Sequence, residues 1–232
     1  MKILAVDIGT GTQDILLLDP RLDIENAYKL VLPSPTMIVR ERIRQVTREN
    51  MPLLLDGVMM GGGPCAWAAE DHLKAGLAVY ATPEAARTFN DDLQAVAEMG
   101  VRLVSADEAR RLPGGVRRVE MKDFDFPAIQ TALASFGVSL NDLAALAIAV
   151  FDHGAAPPEI SDRQFRFDYL DERIRAENRL SAFAYPAERI PAIMTRLQAA
   201  ASSASEVQAP VVVMDTAPAA VLGATQDAQV NG

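Results

Sequence analysis

Lys2-Ile3-Leu4-Ala5-Val6-Asp7-Ile8-Gly9-Thr10-Gly11-Thr12-Gln13-Asp14-Ile15-Leu16-Leu17-Leu18-Asp19 is the stretch on which the fold turns. Residues 2–6 are an apolar run of strand length, and residues 14–19 are a second one, stopped by Pro20. Two glycines and two threonines lie between them, so the pair reads as a β-hairpin closed by a Gly/Thr turn. Residues 27–32 read as a third, antiparallel strand that ends at Pro33 and Pro35. This β-β-β opening differs from the β-α-β opening of a dinucleotide fold.

Downstream, residues 36–49 read as a helix with Val39, Ile43 and Val46 on one face and Arg40, Arg44 and Arg48 on another. Residues 53–60 read as a strand running into Gly61-Gly62-Gly63-Pro64, followed by a helix over 65–75. A strand over 77–81 leads to a helix that opens at Thr82-Pro83 and runs to about Met99. A strand over 101–105 follows, and Ser105 and Glu108 form a capping-box pattern. Then come a strand over 116–121, a helix near 125–136 and a buried strand over 144–151. The stretch from Asp152 to Pro158 reads as a loop. After it, a helix capped by Ser161 presents Phe167, Leu170 and Ile174 on one face. A helix over 187–200, an exposed low-complexity segment at 199–209, a strand over 210–214 and a helix from Thr216 complete the reading. The fold class is therefore α/β: a mixed sheet opened by an antiparallel hairpin, then alternating β/α units with parallel strands.

The chain has 232 residues, half of them hydrophobic, with Lys+Arg 22 against Asp+Glu 31 and a net charge of −9. That composition supports a folded core and argues against nucleic acid as a partner. No apolar run is long enough to span a membrane, and the start, MKILAVDIGTG, does not read as a signal peptide, so a cytoplasmic location is expected. The only cysteine is Cys65. It excludes an internal disulfide, a Cys-ligated zinc and an iron–sulfur cluster held by this chain alone.

Three places could carry chemistry. In the hairpin turn, Gly9 and Gly11 let backbone amides approach an anion, Thr10 and Thr12 add hydroxyls, and Asp7 could hold a hydrated Mg²⁺ beside a phosphate. An ordinary Gly-rich hairpin is the plain alternative. Gly61, Gly62 and Gly63 precede a helix, where exposed amides attract anions, or else they make a tight packing turn. Asp152 and His153 follow a strand end, where His153 could act as a general base beside Asp152, with Arg163 and Arg166 completing an anion pocket. The alternative is a locally hydrogen-bonded turn. His72 lacks a second His at helical spacing, Cys65 reads as a small buried residue, the Arg40/Arg44/Arg48 stripe reads as a solvated face, and Asp91-Asp92 as a surface pair.

The string DIGTGTQD after an apolar strand resembles the first phosphate motif of the sugar kinase, heat-shock protein and actin ATPase superfamily. That resemblance implies ATP and Mg²⁺ as cofactors, with Asp7 near the metal and Gly9, Thr10, Gly11 and Thr12 facing the phosphates. Longer segments resemble a family of unknown function labelled pyruvate formate-lyase activating enzyme: DIGTGTQDILL (7–17), LVLPSPT (30–36), VMMGGGP (58–64), FDHGAAP (151–157), SDRQFRF (161–167) and MDTAPAAVLGA (214–224). Formate-lyase activases are radical enzymes that hold a [4Fe–4S] cluster on a three-cysteine motif, so a chain with Cys65 alone does not support that activity. Residues 218–224 are also similar to a Pro-Ala-Ala…Gly-Ala helix of the hydantoinase and oxoprolinase branch, in which a second phosphate motif follows. The resemblance thus implies an N-terminal lobe over 1–209 with an insertion around 53–150, and a second, truncated lobe starting at 210–232, with a missing C-terminal lobe as a partner. Two functions remain open: a nucleotide-binding lobe that acts as an ATPase or kinase in a fuller form, or a non-catalytic module for a small anion or a partner.

Overall fold

A computed structural model describes residues 1–157 and 159–231. In chain order the elements are β1 (Lys2–Ile8), β2 (Thr12–Leu18), β3 (Tyr28–Pro33), α1 (Pro35–Arg48), β4 (Leu53–Gly57), α2 (Pro64–Lys74), β5 (Val79–Ala81), α3 (Pro83–Ala86), α4 (Leu93–Glu98), β6 (Arg102–Leu103) and α5 (Ala106–Arg111). They continue with β7 (Arg117–Met121), α6 (Phe126–Ala134), β8 (Leu143–Val150), α7 (Asp162–Glu177), β9 (Ala184–Pro186), α8 (Thr195–Ser203), β10 (Val211–Asp215) and α9 (Thr216–Asn231). Pro158, in the expected loop, lies outside the described residues. The chain forms two compact units. The first contains Met1–Gly9, Gln13–Leu32 and the chain from Phe124 onward; the second contains Thr10–Thr12 and Pro33–Asp123.

The first unit is built on a sheet of order β3-β2-β1-β8-β10-β9. The strand β1 runs antiparallel to β2 and parallel to β8, and β10 runs parallel to β8 and antiparallel to β9. The sheet is therefore mixed, as the hairpin opening requires. Alternation sorts its faces. Leu4, Val6 and Ile8 of β1, Ile15 and Leu17 of β2, and Leu146, Ile148 and Val150 of β8 form one core with Ile129 and Leu133 of α6 and Leu197 and Ala200 of α8. The opposite face carries Ala5 and Asp7, Asp14 and Leu16, and Ala147 and Ala149, all half-buried or exposed.

The second unit is an all-parallel sheet of order β6-β5-β4-β7. Its central strand β4 is fully buried at Leu53, Leu54 and Leu55, the unbroken apolar run expected of a parallel strand covered on both faces. Val39, Ile43 and Val46, the face read on α1, join this core.

The compact units divide at Leu32/Pro33 and Asp123/Phe124, and β10 is hydrogen-bonded between β8 and β9 within the first. Several expectations are corrected. The strand read over 53–60 stops at Gly57, whose φ of +105° leaves the extended region. The helix read from Thr82 to Met99 breaks into α3 and α4, since Asn90 accepts from the Asp92 amide and Asp92 restarts the helix as a cap for Gln94. The helix read over 187–200 begins only at Thr195, past Pro191. On α7 the inward face is rotated: Phe167 is 58% exposed and Arg166 is the buried residue. Ala200 and Ala204, in the segment read as exposed, are buried. No helix among the described residues is long and apolar enough to cross a membrane.

Candidate functional site

In the first unit Asp7 stands at the C-terminal end of β1, on the face turned away from the core. Register pairs it directly with Asp14 of β2. The Thr216 hydroxyl, at the start of α9, donates to Asp7 Oδ1 at 3.1 Å. Partial burial raises the Asp7 carboxyl above its ordinary pKa; the Thr216 hydroxyl works against this, and the negative charge of Asp14 adds to it.

The turn residues Thr10, Gly11 and Thr12 are exposed and belong to the second unit. Ser34 fixes them. Its hydroxyl donates to the Thr10 carbonyl at 2.7 Å and its amide donates to the Gly11 carbonyl at 3.1 Å. Ser34 precedes α1 at the N-cap position but makes no side-chain cap, because its hydroxyl is engaged by Thr10. Among the described residues, the N–H groups of Gly9, Thr10 and Gly11 donate to no protein acceptor. The turn is thus held by its carbonyls, with its amides left for something else.

The Gly-rich loop lies in the same unit, and the Thr10 methyl is 3.9 Å from where a Cβ on Gly63 would stand. The Gly61 amide donates to Asp123 Oδ1 at 3.1 Å, Thr36 Oγ1 donates to the Gly62 carbonyl at 2.6 Å, and the Cys65 amide donates to Thr36 Oγ1 at 3.2 Å. A Cβ on Gly62 would stand 2.8 Å from the Thr88 carbonyl oxygen, so no side chain fits there. The loop is first a packing turn, and Gly61 has no amide to offer a ligand. The Gly62 and Gly63 amides have no protein acceptor among the described residues. The Gly61–Asp123 bond joins the loops that follow β4 and β7, the point where the strand order reverses and open parallel sheets place their ligands.

Asp152 and His153 are not brought together. Asp152 is buried, with Oδ1 accepting from the Gly154 amide at 2.8 Å and Oδ2 from the Leu197 amide at 2.8 Å in the first turn of α8. Burial raises its pKa, and those two amides oppose the rise. Both oxygens build the loop and cap a helix. His153 is exposed, edge-on to Phe151 with ring centroids 4.7 Å apart. Arg166 completes no open anion pocket: it is buried and donates to Asp215 Oδ1 at 2.6 Å. His72 is buried with Nδ1 2.8 Å from the Thr47 hydroxyl, and desolvation lowers its pKa. Arg40 and Arg44 pair with Glu41 on an exposed helix face.

Cys65 is fully buried, with its thiol 3.5 Å from the Gly61 carbonyl, and burial pushes its pKa up to about 11. At pH 8 only about one thiol in a thousand is ionised at such a pKa. Native protein should therefore leave a disulfide dye such as DTNB unreacted at pH 8, while one thiol per chain titrates in denaturant. Rapid native labelling would refute this burial.

The sequence does not mark Ser34, Thr36 and Asp123 as site residues, and it marks Thr216 only as the start of a helix. Ser34 had a signal, since a serine between two prolines cannot continue the strand before it or add a turn to the helix after it. Asp123 and Thr216 carry no local pattern.

Fold and site together define an α/β protein that pairs a mixed sheet, ending in an acidic hairpin foot, with a separate parallel sheet. Over residues 60–232 the chain matches the family described as "Putative pyruvate format-lyase activating enzyme (DUF1786)", and it belongs to that family. No curated protein matches it at a significant level. The one cysteine of this sequence, Cys65, is buried with its thiol against the Gly61 carbonyl, and an iron–sulfur cluster is held by several thiolates.

Proposed function

We propose that the chain is a phosphate-binding lobe of the actin-like ATPase type that takes ATP with Mg²⁺. One observation carries this reading: the hairpin turn is fastened by its Thr10 and Gly11 carbonyls to Ser34, while the amides of Gly9, Thr10 and Gly11 have no protein acceptor among the described residues. The mixed sheet, opened by the antiparallel β1-β2 hairpin and continued by β8 and β10 parallel to β1, is what the resemblance implies for such a lobe and supports this reading.

In this reading the turn amides and the hydroxyls of Thr10 and Thr12 donate to phosphate oxygens. Asp7 would hold a hydrated metal ion, with its carboxylate oriented by the Thr216 hydroxyl, which donates to Oδ1. Bound Mg²⁺ would supply charge neutralisation for the phosphates. Phosphoryl transfer needs donors on all sides of the moving group, and a single phosphate motif supplies one side. This chain is therefore expected to bind nucleotide with little turnover.

Thermal unfolding with and without Mg·ATP tests the reading. At a ligand concentration a hundredfold above Kd, wild type should gain roughly 5–10 °C in Tm. Asp7→Ala should lose most of that gain. Equal gains in both proteins, or none in wild type at millimolar Mg·ATP, would overturn it.

A further inference from the structure

The face of the first sheet opposite its core has no use in that reading beyond Asp7. It forms a cavity of about 570 Å³, within the range of small-molecule sites. Its floor is set by register. Across the strands, Asp14 of β2 pairs with Asp7 of β1, Asp7 with Ala149 of β8, Ala149 with Met214 of β10, and Met214 with Ala184 of β9. A second row runs beside it through Ala5, Ala147 and Val212. Ala219 of α9 lines the cavity as well. Three strand spacings separate β1 from β9, a trough of about 14 Å. Alanines keep it open: at these positions the other face of the same strands carries Leu4, Val6, Leu146 and Ile148, all buried.

The charge lies at one end. Asp7 and Asp14 sit side by side on adjacent strands, and after burial the Asp14 charge adds to what raises the Asp7 carboxyl above its ordinary pKa. The lining's one lysine, Lys29, is exposed on β3. A metal ion would account for the carboxylates but not for an apolar trough leading away from them. An uncharged apolar ligand would account for the trough but not for the carboxylates at its head.

We propose that this trough binds a small amphipathic cation, a primary or secondary ammonium on an aliphatic or flat apolar body. The ammonium donates to Asp7 and Asp14, and the body lies across Ala149 toward Met214 and Ala184. The proposal does not rest on the nucleotide reading, and its test is run without nucleotide or Mg²⁺.

The probes are n-alkylammonium ions from butyl to octyl, titrated calorimetrically into the full chain, with the alkanols of equal length as controls. Affinity should rise about fourfold per methylene until the trough is filled. Each ammonium should bind about tenfold tighter than its alkanol. Asp14→Asn should erase most of that preference while keeping the length dependence. Ala149→Trp should abolish binding by filling the floor, and Ala219→Trp, from the helix side, does the same if the strand variant fails to fold. Alkanols binding as well as ammonium ions, affinity independent of length, or no binding at millimolar probe would each overturn the proposal. So would a concentration-dependent dimer that Ala149→Trp abolishes, because a second copy of the chain would then own this face.

Discussion

Arg166→Met is expected to lower the stability of the first unit by about 3–5 kcal/mol, measured by urea unfolding followed by circular dichroism. The guanidinium is buried and donates from Nη2 to Asp215 Oδ1 at 2.6 Å and from Nε to the Asp152 carbonyl at 3.1 Å, and it lies 3.9 Å over the Phe151 ring. Asp215 is equally buried and also accepts from the amides of Asp152 and Ala217. Removing the cation strands a carboxylate at the point where β8, β10, α7 and α9 meet. Arg166 is the one buried residue of α7, so hydrogen exchange should show residues 162–177 opening first. A double-mutant cycle separates this pair from general damage. Asp215→Asn removes the stranded charge and keeps an acceptor for one of the two amides, so Arg166→Met with Asp215→Asn should be less destabilised than the two single effects summed, by at least about 1 kcal/mol. Additive losses would mean that Arg166 acts through packing alone.

That network was out of reach of the sequence, and the reason is physical. Periodicity reads apolar faces, and on α7 it favoured Phe167, Leu170 and Ile174. The helix turned instead to bury Arg166, because a carboxylate 49 residues downstream was waiting for it. Asp152 shows the same limit: an acid next to a histidine after a strand suggests catalysis, and no local pattern reveals that its oxygens accept from the amides of Gly154 and Leu197. The hairpin was legible because every signal in it is local: an apolar run, a Gly/Thr turn, a second run and a proline. The α3/α4 break was legible too, had Asn90-Asp91-Asp92 been weighed as a turn rather than as a charged pair. What holds the turn in place, Ser34 and Thr216, depends on contacts of 24 and 209 residues' separation, and spacing rules do not extend that far.

Gly57→Ala should cost the second unit about 3–5 kcal/mol, the sum of a strained backbone and an overpacked contact. Gly57 ends β4 at φ +105°, opposite Met121 of β7. A Cβ there would fall inside the van der Waals limit of the Met121 carbonyl oxygen, the same oxygen that accepts the Val58 amide at 2.9 Å. Backbone cannot rotate aside as a side chain can, so β7 must retreat from the central strand. Gly76→Ala isolates the conformational part: its φ is also positive, at +77°, but nothing lies within 4 Å of the added carbon, and its cost should be about 1 kcal/mol. The difference between the two variants then measures the closeness of β4 and β7. It also reports on the Gly-rich loop, since Asp123, two residues past Met121, holds the Gly61 amide. Faster hydrogen exchange at Gly61 in Gly57→Ala, absent in Gly76→Ala, would show that the position of β7 sets the shape of that loop. Equal costs for the two alanines would mean that the strands have room to part and that the glycine at 57 answers only to its dihedral angle.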